Sequence, residues 1–151
     1  MAFLMLFFLA ALWGAGAEAA VEKEPVAALL EQRYDRESNP RKQTDIALEL
    51  MKRRLDQLRA AYETVEPEQQ KAAGEAFLGG LERLATAVTA ASRAGTSKKA
   101  ETYLRRQERD LGSLRANVSY LERPAIEKLM ERAAAVRERI LYSIMNPARR
   151  N

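Results

Sequence analysis

Lys98, Thr102, Arg105 and Arg109 recur at spacings of four, three and four, with Arg106 beside them. At about 100° per residue such positions line up along one side of a helix. A row of cationic groups there suits anions. Arginine in particular bonds two oxygens of a phosphate or carboxylate at once through its planar fork, and 18 of the 25 basic residues are arginine. Lys98, Arg105, Arg106 and Arg109 are therefore the candidate anion-contacting residues, and Lys52-Arg53-Arg54 forms a second basic knot. No aromatic residues alternate with these bases as base-stacking platforms would, so nucleic acid is not the expected ligand. Lipid headgroups, a polysaccharide or an acidic protein fit better. The plainer reading of any such run is a solvated helix face.

What is missing narrows the chemistry further. The chain contains no histidine and no cysteine. Di-iron bundle sites built on Glu-x-x-His pairs, zinc sites with imidazole or thiolate, and Ser–His–Asp triads are all excluded. So are disulfides, a lipid-modified cysteine and a thiol nucleophile. Carboxylate, lysine, tyrosine and serine chemistry remains, yet the acids fall mainly between the apolar positions and no pair of them is placed in a buried site. Glu49–Arg53 and Glu101–Arg105 are spaced i,i+4 and read as surface support. No glycine-rich phosphate loop occurs. The expectation is a protein without catalytic, cofactor or metal site, and not an enzyme. Tyr34, Tyr62, Tyr103, Tyr120 and Tyr142 sit at the edges of apolar stripes, where a ring is buried and its hydroxyl stays wet. A tyrosine-lined binding groove is the sharper alternative.

The elements that carry these residues begin after a leader. Ala2 to Trp13 is an apolar run, followed by Ala15 and Ala17 in an A-x-A pattern before Glu18. The uncharged stretch is shorter than the roughly 20 residues of a membrane-spanning helix. Residues 1–17 are thus read as a secretory signal peptide cleaved after Ala17, although no basic residue precedes the apolar run. All charged residues lie at or beyond Glu18, so the mature chain keeps the net +4. The charge is uneven: residues 18–37 hold six acids and three bases, residues 97–151 thirteen bases and seven acids.

The clearest element is the stretch Asn39–Tyr62. Leu48, Met51, Leu55, Leu58 and Tyr62 alternate in spacings of three and four, Asn39 can cap the helix, and Pro40 suits its first position. Before it, Val26, Leu29, Leu30 and Tyr34 predict a short helix over Glu22–Ser38, docking weakly towards the basic C-terminal half. After it, Glu66-Pro67 restarts the chain, and Ala73, Phe77, Leu81, Leu84, Val88 and Ala91 share a face. Gly80 falls on that seam, which points to close helix packing, and Gly95 is placed to terminate the helix. Ser97 is a candidate cap for the next helix, striped by Leu104, Gln107, Leu111, Leu114, Val118 and Leu121. The last stripe, after Pro124, is Ile126, Leu129, Ala133, Val136, Ile140 and Ile144. No segment alternates as a strand would.

These seams predict an all-α fold, an antiparallel bundle of about four long helices preceded by a short N-terminal helix. In residue terms, 18–38 is the short helix and bend, 39–146 the bundle and 147–151 a polar tail. NPRKQTDIALELMKRRLDQL, FLGGLERLATAVTAASRAGTSKKAETYLRRQERDLGSLRANVSYL and VRERILYSIM resemble an uncharacterised family of small exported all-helical bacterial proteins. The resemblance implies an exported helical protein and brings no activity or functional residue. Together these readings suggest a periplasmic or secreted interaction or scaffold protein of the cell envelope. Its expected partner is another envelope protein or an anionic envelope surface.

Overall fold

The computed structural model describes residues 15–146, with side chains from residue 25 onward. Most of the expected leader and the 147–151 tail lie outside the described residues. Within them the chain forms five helices and no strand: α1 (Ala15–Arg36), α2 (Pro40–Glu63), α3 (Pro67–Ala91), α4 (Ala94–Asn117) and α5 (Arg123–Met145). None of these helices is long and apolar enough to cross a membrane. They pack against one another around one core, α2 most extensively on α3 and α4 on α5, with α1 laid against α2.

Helix α2 opens as its sequence dictates. The Asn39 side-chain oxygen accepts from the backbone N–H of Arg41 at 3.0 Å, and Pro40 takes the first turn. Leu48, Met51, Leu55 and Leu58 are all buried, with Tyr62 half-buried. Ile46 and Leu50 are buried too, although they lie more than about 100° round the helix from that seam. The reason is position: α2 touches α1, α3 and α4, so it needs apolar surface on several sides.

Gly80 faces α2. A Cβ added there would come within 2.9 Å of the Met51 sulfur, while one added at Gly79 would make only an ordinary 3.7 Å contact with the Arg83 guanidinium. Gly80→Leu is therefore expected to push the helices apart and cost about 1–3 kcal/mol or more. Gly79→Ala should raise stability by up to about 1 kcal/mol through helix propensity alone. Urea melts of the two variants, moving in opposite directions, check this.

Four expected boundaries shift. Helix α1 already includes Ala15, well before the expected Glu22, and continues through Pro25. Its buried residues are Ala27, Leu30 and Tyr34, while Val26 and Leu29 are exposed. Helix α3 ends at Ala91, and its cap Ser92 takes the left-handed conformation (φ 48°) in the place expected of Gly95, its hydroxyl donating to the Thr89 carbonyl. Gly95 lies instead in the first turn of α4. That helix is preceded by Arg93, and Ser97 is a buried residue inside it, not its cap. Finally, α4 stops at Asn117, so Leu121, expected on its seam, is 89% exposed. The Ser119 N–H and hydroxyl both donate to Glu122, closing the turn into α5. With Gln70 donating as well, these bonds hold the Glu122 carboxyl below its usual pKa.

Candidate anion-contacting face and interhelical ion pairs

Helix α4 buries Ser97, Ala100, Glu101, Leu104, Gln107 and Leu111. The three-four spacing of those positions turns Lys98, Thr102, Arg105 and Arg109 away from the core, and all four are exposed, as is Arg106. They are not equivalent. Arg105 is committed to Glu101 at 2.8 Å, whereas Lys98, Arg106 and Arg109 make no ion pair among the described residues. Neighbouring bases are engaged: Lys99 with Asp45 at 2.6 Å and Arg115 with Glu127 at 2.6 Å.

The second basic knot does not form a patch. Lys52 is exposed, Arg53 half-buried and Arg54 buried. Arg54 donates to Glu31 of α1 at 2.9 Å and to Gln57 at 2.8 Å. Glu31 also lies 3.6 Å from Arg83 of α3, whose guanidinium stands 5.9 Å over the Tyr34 ring. Tyr34 completes the joint by donating its hydroxyl to the Arg83 carbonyl oxygen at 2.9 Å. The acidic α1 therefore sits on α2 and α3, and the expected docking towards the basic C-terminal half is not what the contacts show. Its Glu31 is paired nearer at hand, with Arg54 and Arg83.

Glu101 also departs from expectation. It is 5% exposed, so its carboxylate is an interior group and not surface support. Arg105 reaches it from the solvent side, and Arg137 of α5 approaches to 3.5 Å while donating to Glu108 at 2.7 Å. The bond to Glu108, with a smaller contribution from Glu101, raises the Arg137 pKa further. Sequence reasoning missed Arg137. A signal existed, because Glu101, Leu104, Glu108 and Leu111 follow the three-four spacing of a seam, which puts both acids against the neighbouring helix.

The five tyrosines do not gather into one groove. Tyr34 is on α1, Tyr62 on α2, Tyr103 on α4, Tyr120 in the α4–α5 turn and Tyr142 near the end of α5. The Tyr103 hydroxyl, expected to be wet, is buried and has no hydrogen-bond partner among the described residues. Burial, with Asp110 and Asp56 nearby, pushes its pKa far above the ordinary tyrosine value. An unpaired buried hydroxyl is a liability. Tyr103→Phe should raise stability by about 1 kcal/mol in thermal or denaturant unfolding; a loss of that size would mean the hydroxyl has a partner.

The clefts between helices are open. The one between α3 and α5 is lined by Val88, Thr89, Val136, Arg139 and Ile140, and the one between α2 and α4 is crossed by Arg59–Asp110 at 3.4 Å. Among the described residues no three carboxylates are grouped to hold a metal ion. The arrangement offers an exposed cationic row and ion pairs that join helices. No family model, curated protein or solved structure matches the chain.

Proposed function

We propose that the chain is an exported, non-enzymatic interaction or scaffold protein of the bacterial cell envelope. The observation that carries the reading is where its interior charges go. Glu31 with Arg54 and Arg83, and Arg137 with Glu101 and Glu108, join one helix to another. The apolar leader supplies the compartment, with cleavage after Ala17. An antiparallel bundle over residues 39–146, with the N-terminal helix laid outside it, is the matching architecture. Pairs that run in opposite senses along α4 and α5 support it: Arg115 with Glu127, but Glu108 with Arg137. Subcellular fractionation with mass determination tests the proposal. A periplasmic or secreted form beginning at Glu18 is expected, and a full-length cytoplasmic protein would overturn it.

The second reading is a peripheral binder of anionic envelope surfaces, favoured by the exposed Lys98, Arg106 and Arg109, which make no ion pair among the described residues. Exposed charge contacts are strongest at low salt. Retention on phosphatidylglycerol vesicles is expected at low ionic strength, to fall as salt is added, and to be lost in a Lys98→Glu, Arg106→Glu, Arg109→Glu variant that keeps its helical circular dichroism. Absence of retention at low ionic strength sinks this reading and leaves the first untouched.

A further inference from the structure

Among the described residues four connections link the five helices, and three of them place a proline in the first turn of the following helix: Pro40, Pro67 and Pro124. A proline there keeps two helices from merging, because its ring clashes with a carbonyl of the preceding turn and it has no N–H to donate. The α3–α4 connection is different. It consists of Ser92 and Arg93 alone and is followed by Ala94 and Gly95, with no proline. Helix α4 is thus the one member of α2–α5 that begins with neither a proline nor a capping side chain. Residues 92–95 are all exposed. The bend is held by Ser92 in the left-handed conformation (φ 48°, ψ 30°), which disfavours a residue with a Cβ. Val65 is also left-handed (φ 56°), but Pro67 keeps its turn from straightening.

We infer that the α3–α4 connection is a hinge, and that two copies of the chain exchange their α4–α5 pairs through it. With Ser92 and Arg93 helical, α3 and α4 join into one helix from Pro67 to Asn117. The N–H groups of Arg93, Ala94, Gly95 and Thr96 then gain the carbonyls of Thr89, Ala90, Ala91 and Ser92 as partners. The fold divides at this point. Helix α2 packs most extensively on α3, with α1 tied to both through Glu31, and α4 packs on α5. Contacts between these two groups are sparser, and they include Asp45–Lys99, Arg59–Asp110, Glu82–Arg132 and Gln70–Glu122. All of these re-form between copies, so exchange keeps the packing while it relieves the strain of two hinges. Only a second copy fits the surface uncovered by opening, because only it carries the same α4–α5 pair. At about 100° per residue the α3 and α4 seams face opposite sides of the joined helix. The two joined helices therefore cross near residues 90–95, where Ala90, Ala91, Ala94 and Gly95 allow a close approach.

The full-length chain contains no cysteine, so Glu75→Cys with Ser113→Cys carries two spin labels and no others. Both sites are exposed and lie towards the end where Gln70 meets Glu122, which sets them about 20 Å apart, two helix diameters, in the closed chain. In the joined helix they are about 57 Å apart at 1.5 Å per residue. Refolding from urea at high concentration with an excess of unlabelled chain should give a dimer by light scattering. That dimer should show the long distance by pulsed electron resonance and persist on dilution. Ala94→Pro, which suits the first position of α4 and follows an extended Arg93 (φ −118°), should keep the closed monomer and abolish the dimer. Ser92→Gly should lower the dimer-to-monomer ratio at least about tenfold, since glycine takes the left-handed bend without penalty. The inference is overturned if no dimer forms, if the dimer keeps only the short distance, as side-by-side association would, or if Ala94→Pro dimerises as readily as the parent chain. Should Ala94→Pro not fold, the distance in the parent chain decides.

Discussion

Leu111→Asp should cost the fold about 4 kcal/mol or more, enough to unfold much of the population at ambient temperature. Leu111 is fully buried in the C-terminal half of α4, a helix that packs on α5. An aspartate there is buried either ionised without a partner or protonated at a large cost in pKa, and both outcomes favour the unfolded chain. The informative control is Leu121→Asp. The helical spacing predicts the same seam for both leucines, yet the structure leaves Leu121 89% exposed beyond the end of α4. Its substitution should move stability by less than about 0.5 kcal/mol. Circular dichroism followed through urea denaturation measures both. Equal losses at the two positions would mean that α4 continues through residue 121, and the turn built on Ser119 and Glu122 would be wrong.

That pair shows how far periodicity reaches. The three-four spacing placed Leu48, Met51, Phe77, Leu84, Leu104 and Ile140 in the interior, and all are buried. The three proline signals also marked real helix starts, at Pro40, at Pro67 and beside Pro124. Periodicity fails where a helix has more than one neighbour or stops early. Ile46 and Leu50 were invisible because a single stripe assumes a single partner, whereas α2 has three. Leu121 was misplaced because the stripe carried on past a turn closed by a serine hydroxyl and a glutamate, a local bond that hydrophobic spacing does not encode. On α1, the spacing groups Val26 and Leu29 with Leu30 and Tyr34, but only Leu30 and Tyr34 of the four lie on the buried face. Ala27 supplies the rest of that face, and its small side chain carries little weight in any hydrophobic pattern.

The cationic row was legible because exposure follows directly from helical phase: residues opposite the leucines must be outside. Which of its members are already paired was not. Arg105 and Arg109 look alike in sequence, but only Arg105 has a carboxylate four residues earlier on the buried side of the helix. The same limit hid the role of Arg54, which a count of basic residues groups with Lys52 and Arg53. Its partner, Glu31, is 23 residues away on another helix. Pairing of charges across helices is set by tertiary register, and helical phase within one segment contains no information on it.

Removing Arg137 tests the most consequential of those cross-helix pairings. Glu101 is nearly inaccessible, with Arg105 at 2.8 Å and Arg137 at 3.5 Å. Taking away one partner of a buried ion pair costs about 3–5 kcal/mol when the remaining charge has no other recourse. Here Arg105 remains, and Arg137 is itself partly accessible, so Arg137→Met should destabilise by about 2 kcal/mol, below that range. Arg105→Ala should cost about 0.5–1 kcal/mol, because that side chain is largely in solvent and Arg137 stays in place. Glu101→Leu leaves Arg137 its shorter bond to Glu108 at 2.7 Å and should cost less than Arg137→Met. The double variant Glu101→Leu, Arg137→Met removes the buried carboxylate together with its cross-helix partner. It is expected to be more stable than Arg137→Met alone, since apolar replacement of both members of a buried pair is often neutral or better. A double-mutant cycle built from urea midpoints at constant pH reads the coupling directly. Strict additivity of the two single losses would show that Glu101 and Arg137 do not sense each other, and the ionic joint of Arg137 with α4 would then rest on Glu108 alone.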